Sequence, residues 1–357
     1  MASWHLSGVV LPGTEPVDLW VDDGLISAEP VTGAKTLGSG WWIMPGLVDA
    51  HSHIGLGAGG AVDRATAEQQ AITDRDSGVL LIRDAGAPVD THWVDHRADL
   101  PRIIRAGRHI ARPGRYIRNF AVEVEPTELV AEVERQALAG DGWVKLVGDW
   151  IDRAAGDLRP LWPADHARRA IARAHELGAR VTAHCFAEQS VAELVAAGID
   201  CIEHGTGMST EVIEQMAAQG TALVPTMTNL EYFAAFAAAG EAKFPQYAAH
   251  MRSLHASRYE VLGAALEAGV PIYAGTDAGG SLGHGRIAQE TELLARLGGV
   301  EFALGAASWR AREWLGAEGL EPGAPADLVA YRDDPRVHLQ TLHEPALVML
   351  RGQCYPR

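Results

Sequence analysis

Cysteine is scarce in this chain: three in 357 residues, with no Cys-Xaa-Xaa-Cys pair. An odd, small number excludes a disulfide framework, so Cys185, Cys201 and Cys354 read as reduced thiols. Positive charge is also in deficit. Thirty Lys and Arg against 46 Asp and Glu give a formal net charge of −16, whereas nucleic acids and anionic membranes are bound by clustered cations. Residues Met1 to Leu11 lack the basic start and small-residue cleavage site of a signal peptide, and no uncharged apolar run reaches membrane-spanning length. No low-complexity linker or short-period repeat interrupts the sequence. These absences predict a cytoplasmic protein with a small-molecule partner, no nucleic acid and no membrane; a homo-oligomer is left open.

Hydrophobic residues make up 47% of the chain, enough for one barrel-sized domain with a small attachment. Residues 1–45 carry short alternating segments, such as Leu19-Trp20-Val21 and Leu25-Ile26-Ser27, between glycine-rich turns. From 46 to 320 apolar strands alternate with amphipathic helices. Strands are expected at Val79–Ile82, Trp143–Val147, Ala179–Ala183, Ile199–Ile202, Thr221–Val224 and Val270–Tyr273, and helices at Glu128–Ala139, Pro163–Leu177 and Ser190–Ala197. Such repetition predicts an α/β fold, a parallel (β/α)8 TIM barrel. Residues 321–357 return to strands, at Asp327–Tyr331 and Ala346–Leu350, which implies that both ends of the chain build one small β-domain.

Ligand-type residues stand where barrel strands end. Trp42-Ile43-Met44-Pro45-Gly46-Leu47-Val48-Asp49-Ala50-His51-Ser52-His53 closes an apolar run with two histidines one residue apart, which an extended backbone points the same way. Lys145, His184, His204 and Asp277 follow on or just after later strands. In a barrel all six converge on one mouth. A lone His-Xaa-His is more often a hydrogen-bonded pair; six such residues at matching positions are not. Neutral imidazoles with a carboxylate suit zinc and similar divalent ions. Two ions need a shared anion, because like charges a few ångström apart repel strongly in a low dielectric. A buried, neutral Lys145 that has taken up carbon dioxide would supply it as a carbamate. The expected site therefore holds two divalent ions, zinc foremost, on His51, His53, N6-carboxylated Lys145, His184, His204 and Asp277. Their shared hydroxide would attack the substrate, and Asp277 would move its proton to the leaving group.

With these residues in view, the chain resembles the amidohydrolase superfamily of metal-dependent hydrolases along nearly its whole length. The resemblance rests on Pro45-Gly46-Leu47-Val48-Asp49-Ala50-His51-Ser52-His53, Trp143-Val144-Lys145-Leu146, Thr182-Ala183-His184, Ile202-Glu203-His204-Gly205, Ala274-Gly275-Thr276-Asp277-Ala278-Gly279 and the closing Leu320-Glu321-Pro322-Gly323-Ala324-Pro325-Ala326-Asp327-Leu328-Val329. It implies a composite β-sandwich from 1–45 and 321–357 beside a barrel from 46–320. The strand-four lysine is similar to that of the binuclear, carboxylated-lysine branch, with its imidazolonepropionase-like enzymes and Xaa-Pro dipeptidases. Val147-Gly148-Asp149-Trp150-Ile151 departs from the Gly-Gly type loop of that branch's peptidases.

The function expected is hydrolysis of an amide-type bond, in an N-acyl amino acid, dipeptide, cyclic amide or carbamate. The alternative is a deaminase of a small heterocycle, with one ion on His51, His53, His184 and Asp277, Lys145 unmodified, and Glu188 or Glu203 for proton transfer. A non-catalytic barrel is the third reading. Candidates for substrate contact are Tyr232, beside Phe233, and His284 and Arg286 in the loop Gly279–Arg286, which could close over substrate. Arg118 is another, from the series Arg102, Arg105, Arg108, Arg112, Arg115 and Arg118, since a guanidinium can clamp a carboxylate. Arg83-Asp84 is a further candidate for pocket structure.

Overall fold

The computed structural model describes residues 2–355; Met1, Pro356 and Arg357, at the ends of the expected β-domain, lie outside them. The alternating amino-terminal segments form β1 (Trp4–Val10), β2 (Pro16–Asp22), β3 (Leu25–Ser27) and β4 (Lys35–Pro45). Alternation in β2 turns Leu19 and Val21 inward. Gly46 joins β4 to β5 (Leu47–Ser52), and a two-residue ribbon follows, β6 (Leu56–Gly57) with β7 (Gly60–Ala61).

Strands and helices then alternate. Helix α1 (Arg64–Asp76) starts where the Asp63 carboxylate accepts from Thr66 N, and it leads to β8 (Val79–Asp84). Next come β9 (Arg102–Arg105), β10 (Ile110–Ala111), β11 (Val122–Glu123), α2 (Leu129–Ala139) and β12 (Trp143–Val147). A hairpin, β13 (Asp149–Asp152) with β14 (Asp157–Pro160), precedes α3 (Ala164–Glu176) and β15 (Arg180–Cys185). The series continues with α4 (Glu188–Ala196), β16 (Cys201–His204), α5 (Thr210–Gln219) and β17 (Ala222–Val224). Helices α6 (Met227–Leu230), α7 (Phe233–Gly240), α8 (Pro245–Glu267), α9 (Ile287–Gly298), α10 (Val300–Ala306) and α11 (Trp309–Trp314) follow. The chain ends in β18 (Leu328–Tyr331), β19 (Leu347–Leu350) and β20 (Gln353–Tyr355).

Parallel pairing gives a three-stranded sheet, β5-β8-β9, and a six-stranded sheet, β11-β10-β12-β15-β16-β17. Every residue of β5, β8 and β12 is buried, as expected where both faces of a parallel sheet are covered. Bridges Leu223↔Ile272 and Ser52↔Ala278 set residues 272–278 beside both β17 and β5. This is a mixed α/β fold. The remaining strands form one seven-stranded sheet, β20-β19-β18-β4-β1-β2-β3, in which the carboxyl-terminal β18 pairs directly with β4. Leu6, Leu19, Val21, Ile43, Leu328 and Met349 belong to its own apolar cluster; burying each such side chain contributes about 1.5–3 kcal/mol.

Two expectations shift. Val270–Tyr273 makes an isolated bridge and no strand, because Pro271 has no N–H to give a ladder, although its carbonyl still accepts from Leu223 N at 2.8 Å. Arg102 and Arg105, read above as part of a series that could clamp a carboxylate, lie on β9, where buried Arg105 binds Asp95, Asp141 and Thr91.

Candidate metal centre

His51 is the penultimate residue of β5, and His53 lies one past its end. Asp277 N donates to His51 O at 2.7 Å, so the segment beside β5 carries the Asp277 carboxylate to both rings. Asp277 Oδ1 lies 3.0 Å from each Nε2, and the two Nε2 atoms are 3.2 Å apart. Gly275 permits the approach: a Cβ there would sit 2.7 Å from His51 Cβ. Asp49 ties the segments together, accepting from Thr276 Oγ1 at 2.5 Å and from His51 N at 3.2 Å. Burial pushes the Asp49 carboxyl up to about 7.

His53 Nδ1 lies 2.7 Å from Gly86 O, an anchor that turns its Nε2 to Asp277 Oδ1. Burial lowers His51 to about 4, so its ring is neutral near pH 7. For Asp277 burial works against the charge, but His51 and His53 outweigh it and hold the carboxylate well below its usual range. Such a cluster calls for a cation. Tetrahedral zinc with Zn–N of about 2.0–2.1 Å sets its ligand atoms about 3.3 Å apart, close to the spacing seen.

His184, near the end of β15, and His204, ending β16, make a second pair, His204 Nε2 lying 2.9 Å from His184 Nδ1. His204 Nδ1 lies 2.6 Å from Thr226 Oγ1. His204, Thr226 and Asp277 adopt left-handed backbone (φ 66°, 49° and 58°), a conformation that costs a side-chain-bearing residue of order 1–3 kcal/mol. Buried His184 Nε2 has no hydrogen-bond partner; Asp149 Oδ1 stands 4.0 Å away, on a carboxyl that burial raises to about 7. Burial also lowers His184 well below the ordinary value and brings His204 to about 3. The His51 and His204 rings are 5.6 Å apart, so the two groups adjoin.

Lys145, fully buried on β12, gives its ammonium to Glu203 Oε2. Glu203 Oε1 accepts from Thr182 Oγ1 at 2.8 Å, with Arg83 Nη2 at 3.4 Å and His51 Nδ1 at 3.5 Å. Arg83 thus faces this buried carboxylate instead of a pocket. Asp84 accepts from Ile54 N and Gly86 N, and so steadies the loop whose carbonyl orients His53.

A cavity of about 410 Å³ opens on His53, His184 and Asp277. The four residues expected at the substrate stand outside it. Tyr232 is on the surface beside Phe236, and Arg118 is exposed in its loop. His284 turns to Asp74 at 2.8 Å, and Arg286 to Gly283 O and Gln289. Sequence reasoning missed His109, stacked on His53 with centroids 4.9 Å apart, and Asn229, which donates to Asp277 Oδ2. Asn229 lies on α6, the short helix that follows β17. His109 lies on a loop and carries no strand-end signal.

The Amidohydrolase family model matches residues 42–354. An uncharacterized protein of Mycobacterium tuberculosis is 56% identical over 354 residues, covering 98% of this chain and 95% of its own. A solved Xaa-Pro dipeptidase with bound methionine superposes with a TM-score of 0.84 at 22% identity, over 100% of both chains. Ochratoxinase from Aspergillus niger does so with a TM-score of 0.81 at 18% identity, over 100% of this chain and 96% of that one; these two likenesses concern the fold. Taken with the histidine–aspartate cluster, the match over most of its length makes the chain a member of the amidohydrolase family, a hydrolase acting on carbon–nitrogen bonds.

Proposed function

We propose that the protein is a binuclear metal-dependent amidohydrolase cleaving an amide-type bond, in an N-acyl amino acid, dipeptide, cyclic amide or carbamate. The observation that carries this reading is the convergence of His51 Nε2, His53 Nε2 and Asp277 Oδ1 on one point, each nitrogen 3.0 Å from the oxygen. In this reading residues 46–320 are a closed (β/α)8 barrel, supported by the seat of 272–278 between β17 and β5. Residues 1–45 and 321–357 then form a separate β-domain.

His51, His53 and Asp277 would hold one ion, and His184 with His204 the other. Carboxylated Lys145 would be shared by both, with Glu203 left to Arg83 and Thr182. Divalent ions, zinc foremost, supply polarisation of the carbonyl and ionised water at neutral pH. Asp277, turned to the cavity beside Asn229, takes the proton of the attacking water and returns it to the departing nitrogen. The names of the neighbours, a dipeptidase and an ochratoxinase, agree with amide cleavage.

The bond of Lys145 to Glu203 favours a second reading, with one ion, an unmodified lysine and deamination of a small ring. Metal analysis of active protein grown with labelled bicarbonate separates the two. About two ions per chain, a carbamate carbon resonance and loss of both on Lys145→Met are expected. Full activity with one ion and a free lysine overturns the binuclear site, and hydrolysis of no amide overturns the reaction.

A further inference from the structure

Phenylalanine is rare in this chain, yet four of its six, Phe120, Phe186, Phe236 and Phe244, line the cavity at the metal centre, together with Tyr116 and Trp150. These rings come from separate parts of the chain: the loop after β10, β13, the end of β15, and α7 with its link to α8. Tyr116 meets Trp150 edge to face at 4.8 Å and lies 5.7 Å from the His184 ring, so the aromatic wall reaches the donor cluster. Of the Lys, Arg, Asp and Glu residues among the described lining, Asp277 belongs to the centre and Lys243 is exposed at the rim. The nearby guanidinium of Arg115 is turned to Asp152 at 2.9 Å and to the carbonyls of Trp150 and Arg159. The body of the cavity thus offers ring faces and edges, and no Lys or Arg to pair with a buried carboxylate. Its volume of about 410 Å³ lies in the range of sites that enclose a whole organic ligand.

We propose that the substrate carries a bulky, flat, uncharged aromatic group on one side of the scissile amide, seated among Trp150, Phe186 and Phe236, with any carboxylate left at the mouth beside Lys243. This deepens the hydrolase reading above and rests on it. Stacking and edge contacts between rings reward such a group beyond its buried area, whereas a small or dicarboxylic acyl group would leave the rings uncovered or bury charge without a partner.

Metal-loaded enzyme tests this on N-naphthoylglycine and acetylnaphthylamide against N-acetylglycine and N-succinylglycine. At least one naphthyl substrate should exceed both others in kcat/KM by about 100-fold or more. Trp150→Ala and Phe236→Ala should each shrink that ratio by roughly tenfold. Calorimetric titration of the uncharged 2-naphthamide into Asp277→Asn gives a readout without turnover, with saturable binding weakened by the same substitutions. Faster cleavage of the acetyl or succinyl compound, or no binding of 2-naphthamide, overturns the aromatic site. Binding of 2-naphthamide that Trp150→Ala weakens, in a protein that cleaves no amide, upholds the aromatic site and overturns the hydrolase reading.

Discussion

Asp277 is gripped by His51 and His53 through one oxygen and by Asn229 through the other, on a backbone held left-handed. Asp277→Asn keeps the shape and removes the proton acceptor. Turnover should fall by at least about 100-fold while circular dichroism is unchanged; retention of more than a tenth of the rate would remove the base role. Gly275 is a steric test of the same corner. Gly275→Ala brings a methyl against His51 Cβ and N at 2.7 and 2.8 Å and against Val224. It should cost about 1–3 kcal/mol by denaturant titration and lower metal content, because the His51 ring must move. The residues proposed as ligands stood out in the sequence because each lies on or just past a short apolar run and belongs to a chemically distinctive type. Glu203 was weighed for proton transfer alone; its bond to Lys145 depends on β12 and β16 facing one interior, which no local pattern displays.

Regular elements followed from periodicity, as in α2, α3, β12 and β15, where expected and observed limits nearly coincide. The cavity wall did not. His109, Tyr116 and Phe120 lie in loops without a repeat, and charge density along the arginine series says nothing about direction; Arg105 and Arg115 face partners inside the structure. The hairpin β13–β14, which carries Trp150, is fastened to α8 and α4 through His250, 2.9 Å from Asp157 and 3.0 Å from Glu188. Burial pulls the His250 pKa down, but the bonds to Asp157 and Glu188 outweigh it and leave it raised. With the folded value above the ordinary 6.5, this clasp is complete below that pH and fades as pH rises through the shifted value. His250→Gln should therefore destabilise the protein by about 1 kcal/mol at pH 6 and by much less at pH 9. Urea titrations at the two pH values check this, and an equal loss at both would show that His250 acts through packing alone. Trp143 is fully buried, with the guanidinium groups of Arg83 and Arg180 at 4.6 and 4.2 Å from its ring. Trp143→Ala should cost about 3–5 kcal/mol, measured the same way.

Across the whole molecule, two buried histidines and the partly buried Asp277 carboxylate gather at one point. Ions bound there would stabilise the folded state alone. Stripping metal with a chelator should lower Tm by about 5 °C or more, with recovery on adding zinc; an unchanged Tm would argue against a metal centre. No helix among the described residues is long and apolar enough to cross a membrane.

The pairing of β18 with β4 also governs when the site can exist. Pro45 and Leu328 are partners 283 positions apart, and Gly46 N, at the entry to the first ligand strand, donates to Asp327 O. A ribosome adding about 5–20 residues per second needs roughly 15–60 s to span that interval. His51 and His53 thus wait, their strand unclamped, until β18 has been made. A nascent chain stalled before β18 carries every proposed ligand and lacks the strand that pairs with β4.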